Sequence, residues 1–206
     1  MSDELDKAGE FIDACIDNLD EARRLFAADP QVLYLTKIGS PILHWMVIED
    51  FQIGVQRMLE EFKVDVDCLD DSGQTALHHA CIVGRLGSAR LLLKHGANID
   101  VIHDTFDNPL QTAIHSEHLD VALLLVGHGA KLDYVLNGHF TVFHAMASMD
   151  EFSRSTMIAE IAAHGVTPES MFEKLQLDEL YDSPAEAFGW QDEGSGDDPD
   201  DDLSEE

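Results

Sequence analysis

The chain has 206 residues, of which 45% are hydrophobic, and 41 acidic residues against 12 basic ones give it a formal net charge of −29. The apolar fraction is sufficient for a folded core. The charge disfavours contact with nucleic-acid phosphates and anionic lipids, and it favours rapid capture of basic proteins. Solubility, or an organism with an acidic proteome, accounts for the same charge equally well.

Nothing in the chain predicts export or membrane insertion. Met1 to Asp6 include no basic segment followed by an apolar core, so we expect no signal peptide. The longest apolar runs, such as 121–126, are far shorter than the roughly 20 residues of a membrane span. Cys15, Cys68 and Cys81 form no C-x-x-C motif. We therefore predict a cytoplasmic protein without membrane contact.

Residues 1–38 are predicted to form an N-terminal capping helix pair. Phe11, Ile12 and Cys15 recur at helical spacing, and Asn18 suits the start of a second helix. The pattern is weaker than in the units that follow. An end unit that must expose one polar side has this character.

A period of about 33 residues organises residues 39–167. Gly96-Ala97 and Gly129-Ala130 are 33 positions apart, and each pair follows a leucine-rich segment. A fixed period of that length is typical of a solenoid of stacked helix pairs. We divide the region into four units, 39–69, 70–103, 104–136 and 137–167.

The first unit, 39–69, departs from the pattern at its outer turn. Ser40 is predicted as its helix cap and Pro41 as its first helical residue. Lys63-Val64 replaces the expected Gly-Ala, so we expect an irregular outer turn.

The second unit, 70–103, shows the pattern most plainly. Thr75 is predicted to cap the inner helix, and Gly84 and Gly96 are predicted to end the inner and outer helices. The turn residues 70–73 should project as a hairpin tip.

The last two units carry variations. Asn108 replaces threonine as the predicted cap, and Gln111 replaces histidine with an amide donor. Gly165 lies 36 residues after Gly129 instead of 33, so three residues are inserted near 149–155.

Residues 168–190 are predicted to form C-terminal capping helices. Thr167-Pro168 and the segment 183–186 are both helix-start signals. From residue 191 to residue 206, nine of sixteen residues are carboxylates, so we predict a disordered acidic tail.

Residues 70–80, D-D-S-G-Q-T-A-L-H-H-A, and residues 96–100, G-A-N-I-D, resemble the ankyrin repeat. The resemblance implies an all-α solenoid of stacked helix-turn-helix units joined by hairpin loops. It also implies that the histidines at one repeat position, His44, His78 and His144, bond to the capping threonine or to a loop backbone.

The remaining histidines are interpreted as scaffold. His95, His128 and His164 each precede the glycine that ends an outer helix, where a protonated ring favours the helix dipole. His115 and His118 share a helical face, but a zinc site needs three or four ligands. We expect no metal and no cofactor.

Catalytic motifs are missing from the sequence. It contains no G-x-S-x-G, no H-E-x-x-H and no phosphate-binding glycine loop, and paired carboxylates are uninformative in so acidic a chain. We predict that the protein is not an enzyme. The opposing hypothesis, a metal-dependent hydrolase, would require tightly bound metal.

In ankyrin repeats the hairpin tips and the exposed side of the inner helices form a concave, partner-facing surface. Carried over to this chain, the candidate residues are Ile48, Glu49, Asp71, Ser72, Gln74, Ile82, Val83, Asp104, Thr105, Asp107, His115, Ser116, Phe140, Ser148 and Met149. Phe140 and Met149 could instead belong to the core of an irregular last unit.

The leading interpretation is a monomeric binding module that captures one basic protein and does not contact nucleic acid directly. A narrower version is an inhibitor, immunity factor or escort of a basic, nucleic-acid-acting protein. A third reading is an architectural adaptor whose acidity reflects its habitat.

Overall fold

The structure is a computed structural model and describes residues 2–37, 40–101, 108–134, 141–176 and 182–190. In this part of the chain the α-helices are α1 (Ser2–Asp17), α2 (Leu19–Ala28), α3 (Ile42–Ile48), α4 (Gln52–Glu60), α5 (Ala76–Ile82), α6 (Leu86–Lys94), α7 (Pro109–His115), α8 (Leu119–Gly127), α9 (Val142–Ala145), α10 (Glu151–Ala163), α11 (Pro168–Lys174) and α12 (Pro184–Ala187). Among the described residues, short 3₁₀ helices cover Pro30–Tyr34 and Met146–Ser148. Strands β1 (Thr36–Lys37) and β2 (Ser40–Pro41) pair antiparallel.

The fold is an all-α solenoid of helix-turn-helix pairs. The inner helices α3, α5, α7 and α9 pack in sequence, and the outer helices α4, α6, α8 and α10 pack in a second layer. One continuous apolar core fills the space between the layers, with Leu77, Leu92, Ile114 and Leu125 fully buried. In the described residues, no helix combines the length and the apolar character needed to cross a membrane.

The first helix pair is joined more tightly than the others. Asn18 alone separates α1 from α2, and its side-chain oxygen accepts the Glu21 N–H at 3.3 Å. Arg57 of α4 donates to the carbonyls of Cys15 and Ile16, both at 2.9 Å, which secures the end of α1 against the next pair.

The predicted inner-helix caps at Thr75 and Asn108 are confirmed. Thr75 Oγ1 and His78 Nδ1 lie 2.9 Å apart, and the Thr75 N–H donates to the same ring nitrogen at 3.2 Å. Thr141 and His144 repeat this geometry. The resemblance also implied a loop-backbone bond for the histidine column, and His44 Nε2 makes one to the Gln74 carbonyl at 3.0 Å.

Asn108 Oδ1 accepts the backbone N–H of Gln111 at 2.8 Å. The side-chain amide of Gln111 is buried, and it has no hydrogen-bond partner among the described residues. Gln111 was predicted to donate a hydrogen bond in place of histidine, but its Nε2 has no acceptor among the described residues.

The predicted start of the first inner helix is wrong by one residue. Ser40 pairs with Lys37 across the β1–β2 hairpin, and Pro41, at φ −54° and ψ 154°, is the residue before the helix. Strand pairing holds Ser40 in the extended conformation, so α3 begins at Ile42 without a side-chain cap.

The outer turn of the same unit is irregular, as predicted, yet it keeps the left-handed conformation. Lys63 has a φ of 52°, where Gly96 in the next unit has 85°. The Val64 N–H reaches the Met58 carbonyl, six residues earlier, whereas the corresponding bonds in the later units reach five residues back.

The extra length of the last unit lies in its outer helix. α10 has 13 residues, whereas α4, α6 and α8 have nine each. The insertion predicted near 149–155 is thus accommodated as about one additional helical turn.

Candidate partner-binding surface

The hairpin tip before α5 is fixed by one carboxylate. Asp70 Oδ1 accepts the N–H groups of Ser72 at 2.8 Å and Gln74 at 2.9 Å. The Asp70 N–H donates to the Gln74 carbonyl at 2.9 Å, and Leu69 and Thr75 form an antiparallel bridge. The tip therefore projects with a defined backbone.

The second oxygen of Asp70 ties this tip to the inner helix. Asp70 Oδ2 lies 2.7 Å from His79 Nε2 of α5, and both side chains are largely buried. Burial acts to raise the pKa of Asp70, but the hydrogen bonds from Gln74, His79 and Ser72 outweigh it and lower the pKa. The tip thus holds a permanent negative charge at neutral pH.

His44 of α3 binds the backbone of this tip. Its ring is fully buried, lies 5.4 Å from the His79 ring, and faces the Gln74 carbonyl, so Nε2 must donate. Burial lowers the pKa of His44 to about 4, against the opposing effect of the Gln74 hydrogen bond. His44 is neutral near pH 7 and serves as a fixed donor.

The structure places ten of the predicted surface residues at least partly in solvent. Those exposed are Glu49, Asp71, Ser72, Ile82, His115 and Ser148, and those half-buried are Ile48, Gln74, Val83 and Ser116. Ile82, with 37% of its surface exposed, is the apolar residue that stands out. Asp104, Thr105, Asp107 and Phe140 lie outside the described residues.

The prediction that Met149 belongs to this surface is wrong. Met149 is 5% exposed and packs in the core. The chain passes from α9 into the 3₁₀ helix Met146–Ser148 before it reaches Met149. Because a 3₁₀ helix turns further per residue than an α-helix, the side chain is rotated away from the equivalent positions in earlier units.

Two side chains outside the predicted set are also at least partly exposed. Leu69 is 54% exposed, immediately before Asp70. Trp45 is half-buried, and its ring centroid lies 5.5 Å from that of Phe51. It precedes His79 by 34 residues and so occupies the same repeat position one unit earlier. The 34-residue spacing from His79 could have predicted that Trp45 belongs to this surface. Nothing in the sequence around Leu69 predicted its exposure.

The predicted surface residues include carboxylates and no lysine or arginine. Arg85 lies close to this region, but its guanidinium bonds to the Ile48 carbonyl through Nη2 at 2.8 Å and Nε at 3.0 Å. His118 Nε2 similarly lies 3.1 Å from the Ile82 carbonyl. These groups bind the scaffold instead of facing a partner.

The described residues offer little to metal or nucleophilic chemistry. His115 ends α7 and His118 lies just before α8, so the shared helical face expected from their spacing is wrong; His118 Nε2 lies instead 3.1 Å from the Ile82 carbonyl. No cluster of three or more His, Cys, Asp or Glu suited to a metal occurs in the ranges that the structure covers. Burial raises the pKa of Cys15 to about 12 and that of Cys68 to about 11, so these thiols are not activated.

Comparison with protein families matches a model of ankyrin repeats in three copies, over residues 12–103 and 43–135. The matches together cover more than half of the chain, and they begin inside α1, within the pair predicted to be a cap. None of the curated proteins compared with this chain matches it. Ankyrin repeats are generally protein–protein interaction modules.

Proposed function

Because this chain belongs to the ankyrin repeat family, we propose that it is a non-enzymatic, monomeric, cytoplasmic module that binds a basic protein on the tips and exposed inner helices. We further propose that the chain consists of an N-terminal cap, 1–38, four units over 39–167, a C-terminal cap, 168–190, and an acidic tail, 191–206.

The supporting observation is the arrangement around the tip of the second unit. Asp70 is held ionised by its hydrogen bonds, and Asp71 is exposed beside it. Leu69, the residue before Asp70, and Ile82, the last residue of α5, add exposed apolar surface. A charged rim around an apolar anchor is typical of a protein interface with a few dominant residues.

The charge pattern selects the class of partner. The predicted surface residues include carboxylates and no lysine or arginine, and such a set attracts a basic protein and repels an acidic one. An inhibitor, immunity factor or escort of a basic, nucleic-acid-acting protein is one specific form of this function, motivated by the net charge of −29. An architectural adaptor is the second candidate, and the exposure of Leu69 and Ile82 favours it.

The test is affinity capture by the full chain from lysate of its source cells, at about 50 mM and about 500 mM salt. Asp71→Lys should release the partner, whereas Glu173→Lys, the same charge change at an exposed position of α11, should retain it. Mass spectrometry identifies the retained protein. A basic partner whose retention falls with salt supports the proposal, and an acidic or salt-insensitive partner contradicts it.

A further inference from the structure

A second surface lies on the opposite layer of the solenoid, between the outer helices α4 and α6. It is a groove of about 420 Å³. Its apolar part is formed by Ile53, which is 58% exposed, and half-buried Leu91. Arg90 and Lys94 line one side and Gln52 the other.

The two cations of the groove are poorly neutralised. Arg90 is exposed and has no carboxylate partner in the described part of the chain. Lys94 Nζ lies 3.9 Å from Glu60 Oε1, at the limit of an ion pair. Two-thirds of the Lys94 side chain is exposed. Like charges four residues apart on a helix repel each other, so this pair weakens α6 on its own.

Several other cations of the described chain are engaged, although exposed Lys63 and Lys131 form no side-chain ion pair there. Arg23 bonds to Glu61 at 2.8 Å and Lys174 to Asp133 at 3.0 Å. Arg57 and Arg85 donate to backbone carbonyls. What distinguishes Arg90 and Lys94 is that they lie about one helical turn apart on α6, beside the exposed Ile53.

Gly87 shapes the wall of the groove. A Cβ at this position would lie 2.5 Å from Nε2 of the Gln52 side chain, so any larger residue would displace that amide. Glycine inside a helix is unfavourable for the helix itself. Its presence here leaves Gln52 free to lie across α6 and keep an amide at the rim.

The groove thus matches an acidic segment that carries a single aliphatic side chain. Residues 191–206 have this composition, with nine carboxylates and Leu203 as their one apolar residue. Asp201 and Asp202 precede Leu203, and Glu205 and Glu206 follow it closely. Leu203 suits contact with Ile53 and Leu91, and its neighbours suit contact with Arg90 and Lys94.

Chain length permits this contact. Leu203 lies 13 residues beyond Trp190, which corresponds to a reach of up to ~43 Å. Helix pairs packed at ~10 Å place the groove roughly 25 Å along the stack from the last pair. We propose that the acidic segment 191–206 docks in the α4–α6 groove of its own chain, with Leu203 as the apolar contact and Arg90 and Lys94 as the cationic ones.

This docking site is separate from the partner-binding surface proposed above, which belongs to the inner helices and the hairpin tips. A partner could therefore occupy the inner surface while the acidic segment occupies the groove. Either proposal can fail without the other.

The test is zero-length carbodiimide cross-linking of the full chain, read by mass spectrometry of the monomer. Lys94 should join a carboxylate within residues 191–206, and the Lys174–Asp133 pair serves as an internal positive control. Arg90→Glu and Leu203→Ser should each lower the Lys94 product at least about fivefold. Arg24→Glu, the same charge change on α2 outside the groove, should leave it unchanged.

Two outcomes overturn the proposal. Equal cross-linking of the segment to exposed Lys7 and Lys131 means contact without a specific site. Cross-links found only between differently isotope-labelled chains mean that the groove takes the segment of a second copy. Loss of the Lys94 product in Arg90→Glu, with circular dichroism and the Lys174–Asp133 product unchanged, supports docking within one chain.

Discussion

Arg85 at the start of α6 donates two hydrogen bonds to one acceptor in the preceding pair, the carbonyl oxygen of Ile48, at 2.8 and 3.0 Å. Ile48 is the last residue of α3, so its carbonyl belongs to the negative end of that helix. His118 binds the carbonyl of Ile82, the last residue of α5, in the same way. Successive units are thus joined by side chains that satisfy the end of the preceding inner helix.

We expect Arg85→Met to lower the free energy of unfolding by ~1.5–3 kcal/mol, because it removes charge-assisted bonds and leaves the Ile48 carbonyl without this donor. Urea denaturation measures the change. Arg24→Met is the control, since Arg24 is exposed and its ion pair with Glu21 should contribute less than ~0.5 kcal/mol. Equal losses in the two variants would contradict the assigned role of Arg85.

The turns between inner and outer helices predict opposite effects at matching positions. Gly84 and Glu117, 33 residues apart, have φ values of 68° and 60°. Glu117→Gly should stabilise the protein by ~0.5–1 kcal/mol, because it relieves a left-handed glutamate.

Gly84→Ala should destabilise it by more than ~1 kcal/mol. The added Cβ would lie 2.6 Å from His118 Nδ1 and would displace the ring that binds Ile82. Thermal denaturation of both variants, followed by circular dichroism, tests the pair. Opposite shifts of the melting temperature are expected. If both variants shift it in the same direction by a similar amount, the two backbone positions are not equivalent.

His44 should make stability depend on pH in a defined window. Its pKa is lowered to about 4 in the folded chain, and an unfolded histidine titrates near 6.5. Between these values the unfolded state binds more protons, so stability should fall as the pH falls from about 6.5 to about 4, by up to ~3 kcal/mol.

Denaturation midpoints across that range, compared with those of His44→Gln, measure the effect. Glutamine keeps a donor for the Gln74 carbonyl but cannot titrate. The stability of the variant should therefore depend less on pH in this window. The lowered pKa of Asp70 acts below this range, because it lies beneath the ordinary value of 3.8. An unchanged slope in His44→Gln would exclude His44 as the cause.

The sequence was sufficient where structure follows from local chemistry repeated at a fixed period. Thr75 and Asn108 could be recognised as caps because their oxygen atoms suit an N-cap and their spacing recurs. The family match then confirmed the solenoid.

Prediction failed where a contact from another element decides the outcome. Pro41 lies outside α3 because β1 pairs with Ser40, and Met149 is buried because a 3₁₀ turn intervenes. The strand pairing leaves no mark in the 33-residue pattern, and the 36-residue spacing marks the last unit as irregular without showing which side chains turn inward. The role of Leu69 likewise depends on a bridge to Thr75 that only the folded hairpin displays.

The C-terminal residues of the described chain close the last unit through aromatic contacts. Trp190 Nε1 donates to the Phe143 carbonyl at 3.0 Å, and Arg154 lies 5.9 Å from its ring centre. Phe188 is buried at 5.5 Å from the Phe143 ring.

Trp190→Ala should therefore cost ~2–3 kcal/mol, by loss of packing and of the hydrogen bond, and Trp190→Phe about 1 kcal/mol. Chemical denaturation of the two variants and of the parent chain checks both values. If alanine and phenylalanine behave alike, the ring contributes nothing and the hydrogen bond alone matters.

The binding surface can be tested by moving one charge between two exposed apolar residues. Ile82, 37% exposed, lies on the predicted partner surface, whereas Phe152, 77% exposed, lies on the outer helix α10. Neither change to aspartate should unfold the chain, which melting curves can verify. Ile82→Asp should weaken capture of the basic partner at least about tenfold, as expected of an anchor residue, and Phe152→Asp less than about twofold.

Because both variants add the same negative charge, a general electrostatic effect would alter their affinities equally. Loss in Ile82→Asp alone therefore identifies apolar contact at the inner surface, and equal affinity in both variants would place the partner elsewhere.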